Sequence, residues 1–296
     1  MTYAVCHISI SSLRSSANNK SEQVSQVLFG EVFTVIDQRG NWVRVLTQTD
    51  AMLGWMLKDH LSDITADEFN DYSANQKFNI ELFHPVFTAD SSFYIPFGAK
   101  LPRFDGLGFV LAGKRYTFSG RTIELSEQRI EGEWICKIAR LFLHAPQLPG
   151  GRSSFGMDAN GFIQLVFASA AIKINRSPLD LLQKGKLIDF VEEAKAGDLA
   201  FFEKRKGHIS HMGIILDNNK VIHVDGVVRI DQLDHFGVFN LETQKYSYKL
   251  RIMRRLLIND FPIDFKTPQQ SVTAKAKQIE MFKKKYTVRS NSVFFL

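Results

Sequence analysis

The residues with the clearest chemical potential lie in three stretches. The first is GMDANGFIQLVF, Gly156 to Phe167. Asp158 has the type and place of a helix N-cap, Gly161 permits close packing, and Phe162, Val166 and Phe167 recur at helical spacing. Ala159 and Asn160 then occupy the first turn. The free N–H groups and the dipole of a helix start stabilise an anion there, lower the pKa of a thiol and can serve as an oxyanion hole. Ala159 has only a methyl group where such a nucleophile would stand. The second stretch, GDLAFFEKRKGHISHMGIIL, places His211 on a strand, and the third, KVIHVDGVVRID, places His223 on the next strand after a DNNK turn. Adjacent antiparallel strands would set the two imidazoles side by side, one as a base and the other as its orienting partner.

Several elements must position these groups. Residues 1–64 read as short strands broken by Gly30 and by Arg39–Gly40–Asn41, the pattern of a small barrel. Residues 65–125 read as a second β-rich unit, expected to be another SH3-like barrel. From 126 to 258 the pattern changes. SEQRIEGEWICKIARLFLHAP is an amphipathic helix ended by Pro146, the DANGF helix follows, and alternating strands close an α+β domain. Residues 259–296 are polar and Gln/Lys-rich and read as a tail or peripheral helix.

Composition excludes several classes. The chain has 296 residues, two cysteines and a net charge of +6, with 45% hydrophobic content. Its short basic runs read as solvated faces, so no nucleic-acid partner is expected. Cys6 and Cys136 form neither a disulfide framework nor a metal site, and Cys136 sits on an apolar helical face as core filler. No metal or cofactor is implied. There is no apolar run long enough to span a membrane and no signal-like N-terminus. A cytoplasmic location is expected, or a periplasmic or extracellular one if a leader has been removed. The oligomeric state is not legible.

The three stretches, in this order, resemble the NlpC/P60 superfamily of cysteine peptidases. The matching branch carries N-terminal SH3-like barrels and cuts γ-D-glutamyl–diamino-acid bonds in peptidoglycan-derived peptides. The resemblance rests on Gly150-Gly151-Arg152-Ser153, Gly156 to Phe162, Gly197 to Phe202, His211 and His223, and on the FGE, VIDQRGNWVRV and GWM phrases of residues 1–64. It implies an α+β papain-like domain preceded by SH3-like barrels. His211 would be the base and His223 its orienting residue, with Asp158 helping to hold the free amino end of a short peptide.

The departures from the family pattern bear on function. Ala159 stands at the nucleophile position and Asn160 where serine is usual. Gln147 and Pro149 replace a Tyr-x-Trp pair, and Ser177 replaces the aspartate of an Arg-Asp pair. The expected function is a γ-D-glutamyl endopeptidase scaffold without its nucleophile, catalytically inactive yet able to bind cell-wall peptides through Asp158, Asn160, Gln147 and Ser177. Two alternatives stand beside it. One is an active peptidase seen with cysteine replaced at position 159. The other is an interaction or wall-binding module acting through the barrels. Independent losses in one pocket fit a natural pseudoenzyme better than a single deliberate replacement.

Overall fold

The computed structural model describes residues 2–74, 77–124, 131–170, 172, 174, 176, 178–205, 208–217 and 219–257. Ser177 and the expected tail over 259–296 lie outside them. The first unit holds β1 (Thr2–Cys6), β2 (Ile10–Arg14), β3 (Gln23–Leu28), β4 (Val32–Arg39), β5 (Trp42–Thr47), β6 (Leu53–Leu57) and β7 (Leu61–Ile64). They form a seven-stranded sheet in the order β3-β2-β6-β5-β4-β1-β7, an SH3-like barrel. Alternation along these short strands sends Ala4, Cys6, Leu13, Val27, Phe33, Val43, Val45 and Met56 into a common core.

The second unit begins with a helix absent from the sequence reading, α1 (Ala66–Ala74). Its start is a capping box. The Thr65 hydroxyl accepts the Glu68 N–H, and the Glu68 carboxylate accepts the Thr65 N–H. Next come β8 (Lys77–Asn79), β9 (Phe83–Phe87), β10 (Ser92–Pro96), β11 (Gly108–Leu111), β12 (Lys114–Phe118) and β13 (Thr122–Glu124). β10-β9-β12-β11 make one antiparallel sheet, and β8 pairs separately with β13. Phe29, from the turn after β3, packs edge-on against Phe93, Phe109 and Tyr116 and joins the two units through an aromatic core.

The third unit carries α2 (Gly132–Leu141), the two-residue strands β14 (Arg152–Ser153) and β15 (Gly156–Met157), α3 (Ala159–Ala168) and α4 (Pro178–Leu182). β16 (Lys186–Ile188), β17 (Leu199–Arg205), β18 (His208–Leu216), β19 (Lys220–Asp225), β20 (Val227–Leu233), β21 (Gly237–Asn240) and β22 (Lys245–Arg255) follow. Their sheet runs β16-β22-β17-β18-β19-β20-β21, with β21 also pairing with β22. α2 ends five residues short of Pro146, with Phe142 as its C-cap. α2 and α3 bury Ile135, Ile138, Phe162, Ile163 and Val166 against Met212, Ile214, Ile222 and Val224 of the sheet. Among the described residues, no helix is long and apolar enough to cross a membrane.

Candidate active site

α3 starts where the sequence indicated. Asp158 is extended and its Oδ1 accepts the Gly161 N–H at 2.8 Å, the N-cap bond. Its Oδ2 accepts the Gly150 N–H at 2.9 Å and an Arg176 Nη2–H at 2.5 Å. Both carboxylate oxygens are therefore held by the protein itself. A Cβ at Gly161 would lie 2.0 Å from the Gly151 carbonyl oxygen, so only glycine lets the helix seat this close to the preceding turn.

Ala159 is the first helical residue, and it and Asn160 are half-buried. Helix geometry leaves their N–H groups without intrahelical partners, an electropositive spot with no nucleophilic atom at its head. Gln147 is exposed. Its Oε1 and its N–H bond the Gly226 N–H and carbonyl, which ties it to the β19–β20 turn.

The expected pairing of the histidines is present. Gly213 of β18 opposes His223 of β19, and His211 Nε2 lies 2.8 Å from His223 Nδ1. On β18, Met212 and Ile214 face the helices, and His211 alternates to the other side over Phe202.

The relay continues to a residue that the sequence reading did not single out. His223 Nε2 lies 2.9 Å from Asp231 Oδ2 on β20, and Arg229 donates to both Asp231 oxygens. All three relay groups are buried, with exposures of 6% for His211, 0% for His223 and 4% for Asp231. Burial alone would raise the Asp231 carboxyl. Hydrogen bonds from His223 and Arg229 outweigh it and hold the group below its ordinary value.

This network assigns the protons. Ionised Asp231 is acceptor-only, so it takes His223 Nε2–H. In the tautomer with the His211 proton on Nε2, that N–H donates to His223 Nδ1. His211 Nδ1 is left with a free lone pair, the atom able to take a proton.

Tyr248 of β22 lies flat on His211, with centroids 4.0 Å apart and planes at 10°. The Tyr248 hydroxyl donates to Asp225 Oδ1 at 3.2 Å. Burial, and then Asp225, pushes the Tyr248 phenol up to about 12. His211 is pushed down to about 3, chiefly by burial and then by His223 and Lys204. It is a neutral, covered imidazole at neutral pH.

Asp231 and Tyr248 had a signal in the sequence. Asp231 ends VRID, two residues beyond Arg229, which opposes His223 in register. It therefore shares the histidine's face of the sheet. Tyr248 lies in the alternating run YSYKLRI. Arg176 was visible only as the neighbour of Ser177. Its pairing with Asp158 across the chain had no local signature.

An SH3-like barrel followed by a papain-like domain, with a capped helix and a His–His–Asp relay, defines a cysteine-peptidase architecture. Known proteins agree. The NlpC/P60 family model matches residues 146–246, and that of the bacterial dipeptidyl-peptidase SH3 domain matches residues 13–61. The chain is 30% identical over 220 residues to a γ-D-glutamyl-L-lysine dipeptidyl-peptidase of Bacillus subtilis, covering 67% of this chain and 71% of that protein. A protein of the same name from Bacillus cereus is 25% identical over 241 residues, covering 69% and 68%.

Among solved structures, an NlpC/P60 family protein from Bacillus cereus shares the fold with a TM-score of 0.71 at 21% identity, over 86% of this chain and 100% of that one. An NlpC/P60 endopeptidase from Photobacterium damselae subsp. piscicida gives 0.61 at 13% identity, over 86% and 73%. The chain belongs to the NlpC/P60 family.

Proposed function

We propose that this chain binds short cell-wall peptides containing a γ-D-glutamyl link to a diamino acid, and does not hydrolyse them. The observation that carries the reading is the methyl group of Ala159 at the head of α3. A family member would use a thiolate here to attack the γ-glutamyl carbonyl, with the histidine that His211 matches first taking the thiol proton and then giving it to the leaving amine. Here His211 has only water to deprotonate. Removing the nucleophile of a comparable triad costs on the order of a million-fold in turnover. The names of the two Bacillus relatives supply the substrate class.

For the ligand, the start of α3 offers unpaired N–H groups to an acidic peptide group. Asp158, Asn160 and Gln147 would form the remaining wall. Asp158 is already engaged by Arg176 and Gly150, and Ser177 brings no carboxylate, so the hold on a free amino end is weaker than in an Arg-Asp family member.

A second reading is favoured by one observation, the unbroken His211–His223–Asp231 chain of hydrogen bonds. In this reading the protein is a peptidase missing only its sulfur. Ala159→Cys separates the two. On L-Ala-γ-D-Glu-L-Lys, the first reading expects the variant to fold, bind and remain inert, because the changes at Gln147, Pro149, Asn160 and Ser177 no longer align a bound peptide for attack. Cleavage at the γ-D-Glu bond would establish the second.

A further inference from the structure

A cavity of about 520 Å³ opens where the barrel meets the second unit, and it shares no residue with the His211 relay. The barrel contributes His7, Ser9 and Ser62, and the second unit contributes Phe93, Lys114 and Tyr116. Its volume is that of a small-molecule site.

The walls are fixed on both sides. In the loop after β1, His7 N–H donates to the His60 carbonyl, Ser9 Oγ donates to the Tyr94 carbonyl, and the Ser9 carbonyl accepts the Phe29 N–H. His7 Nδ1 is 2.9 Å from Ser62 Oγ. Opposite, Tyr116 stacks on Phe109 with centroids 5.2 Å apart, and Phe93 meets its edge. The tip of the β11–β12 hairpin is pinned by the Ala112 N–H to Tyr72 Oη bond.

The charge in this preformed space is one-sided. Lys114 is the one formally charged residue of the lining, and no carboxylate lines the cavity among the described residues. Its Nζ rests over the Tyr116 ring, 6.0 Å from the centroid. His7 is held below its ordinary value by burial and then by Lys114, so it meets a ligand as a neutral hydrogen-bonding ring. An aromatic wall, hydroxyls, a neutral imidazole and one ammonium with no carboxylate in the lining suit an anionic guest with an apolar body.

We propose that the cavity between the barrel and the second unit is a second ligand site, one that takes a small organic carboxylate with a flat or apolar body. The body lies against Phe93 and Tyr116, and the carboxylate pairs with Lys114. The inference is independent of the function proposed for the α3 site.

Indole-3-acetate and its neutral isostere indole-3-acetamide test it by calorimetry, with the imidazole resonances of His7 followed by NMR. The acetate is expected to bind saturably and to shift His7. Both the amide and the Lys114→Gln variant should bind about tenfold more weakly or worse. His211→Ala should leave the affinity unchanged. Equal affinity for acid and amide, no effect of Lys114→Gln, or no saturable binding would each overturn the proposal. Lys114 is exposed, so its substitution does not threaten folding.

Discussion

Arg152 and Glu31 form a buried two-pronged ion pair between the turn before α3 and the barrel. Nη2 meets Oε1 at 2.7 Å and Nη1 meets Oε2 at 2.9 Å, with side-chain exposures of 5% and 3%. Glu31 also accepts the Leu28 N–H and the Thr49 hydroxyl, while Arg152 donates to the Gln26 carbonyl. The barrel thereby holds the segment that presents α3. Removing one charge strands the other, so Glu31→Gln or Arg152→Met should cost about 3–5 kcal/mol in denaturant unfolding. The double variant should recover part of that loss. Additive losses would show that the two residues act separately.

The Asp158–Arg176 pair makes a related prediction. Asp158→Ala removes an N-cap, worth about 1 kcal/mol, and leaves Arg176 buried without its carboxylate. Asp158→Asn keeps a capping oxygen and should lose less. Urea unfolding of the two variants checks the ranking, and equal losses would mean that the cap contributes nothing distinct.

Acid should weaken the protein through His211. Its folded pKa, about 3, lies below the ordinary 6.5. Between those values the unfolded chain binds more protons than the folded one, so stability rises with pH across the window and is complete above it. Acidification from 6.5 towards 3 should remove on the order of a few kcal/mol. Asp231 is also depressed by its partners and acts in the same direction, but only below 3.8. His211→Gln should flatten the upper part of this curve. Tyr248→Ala, by uncovering the ring, should move the His211 titration upwards in an NMR experiment.

Thiol chemistry offers a clean probe of position 159. Burial pushes Cys6 up to about 12 and Cys136 up to about 11. In the folded chain neither should react readily with an aromatic disulfide at pH 8, because the thiolate is the reactive form. Ala159→Cys should add one fast-reacting equivalent, its pKa lowered by the start of α3. Rapid modification of the parent chain would contradict the assignment of Cys6 and Cys136 to the core.

Much of the site was legible because it follows local rules. Asp158 as a cap and Gly161 as a contact residue depend on helix geometry within a few residues, and the meeting of His211 and His223 follows from a short hairpin. α1 was hidden because ADEFNDYSA has few strong apolar residues. Only Phe69 and Tyr72 are buried, and the Thr65–Glu68 capping box was the readable signal. Asp231 needed strand register beyond the hairpin. Glu31 and Arg176 reach their partners through tertiary contacts, which no spacing along the chain encodes.

The most direct test of the account is a calorimetric titration of the unmodified chain with L-Ala-γ-D-Glu-L-Lys, followed by chromatography of the same sample. Saturable binding is expected, weakened by Asp158→Ala, with the peptide recovered whole. Release of free lysine, or the absence of any binding, would contradict it.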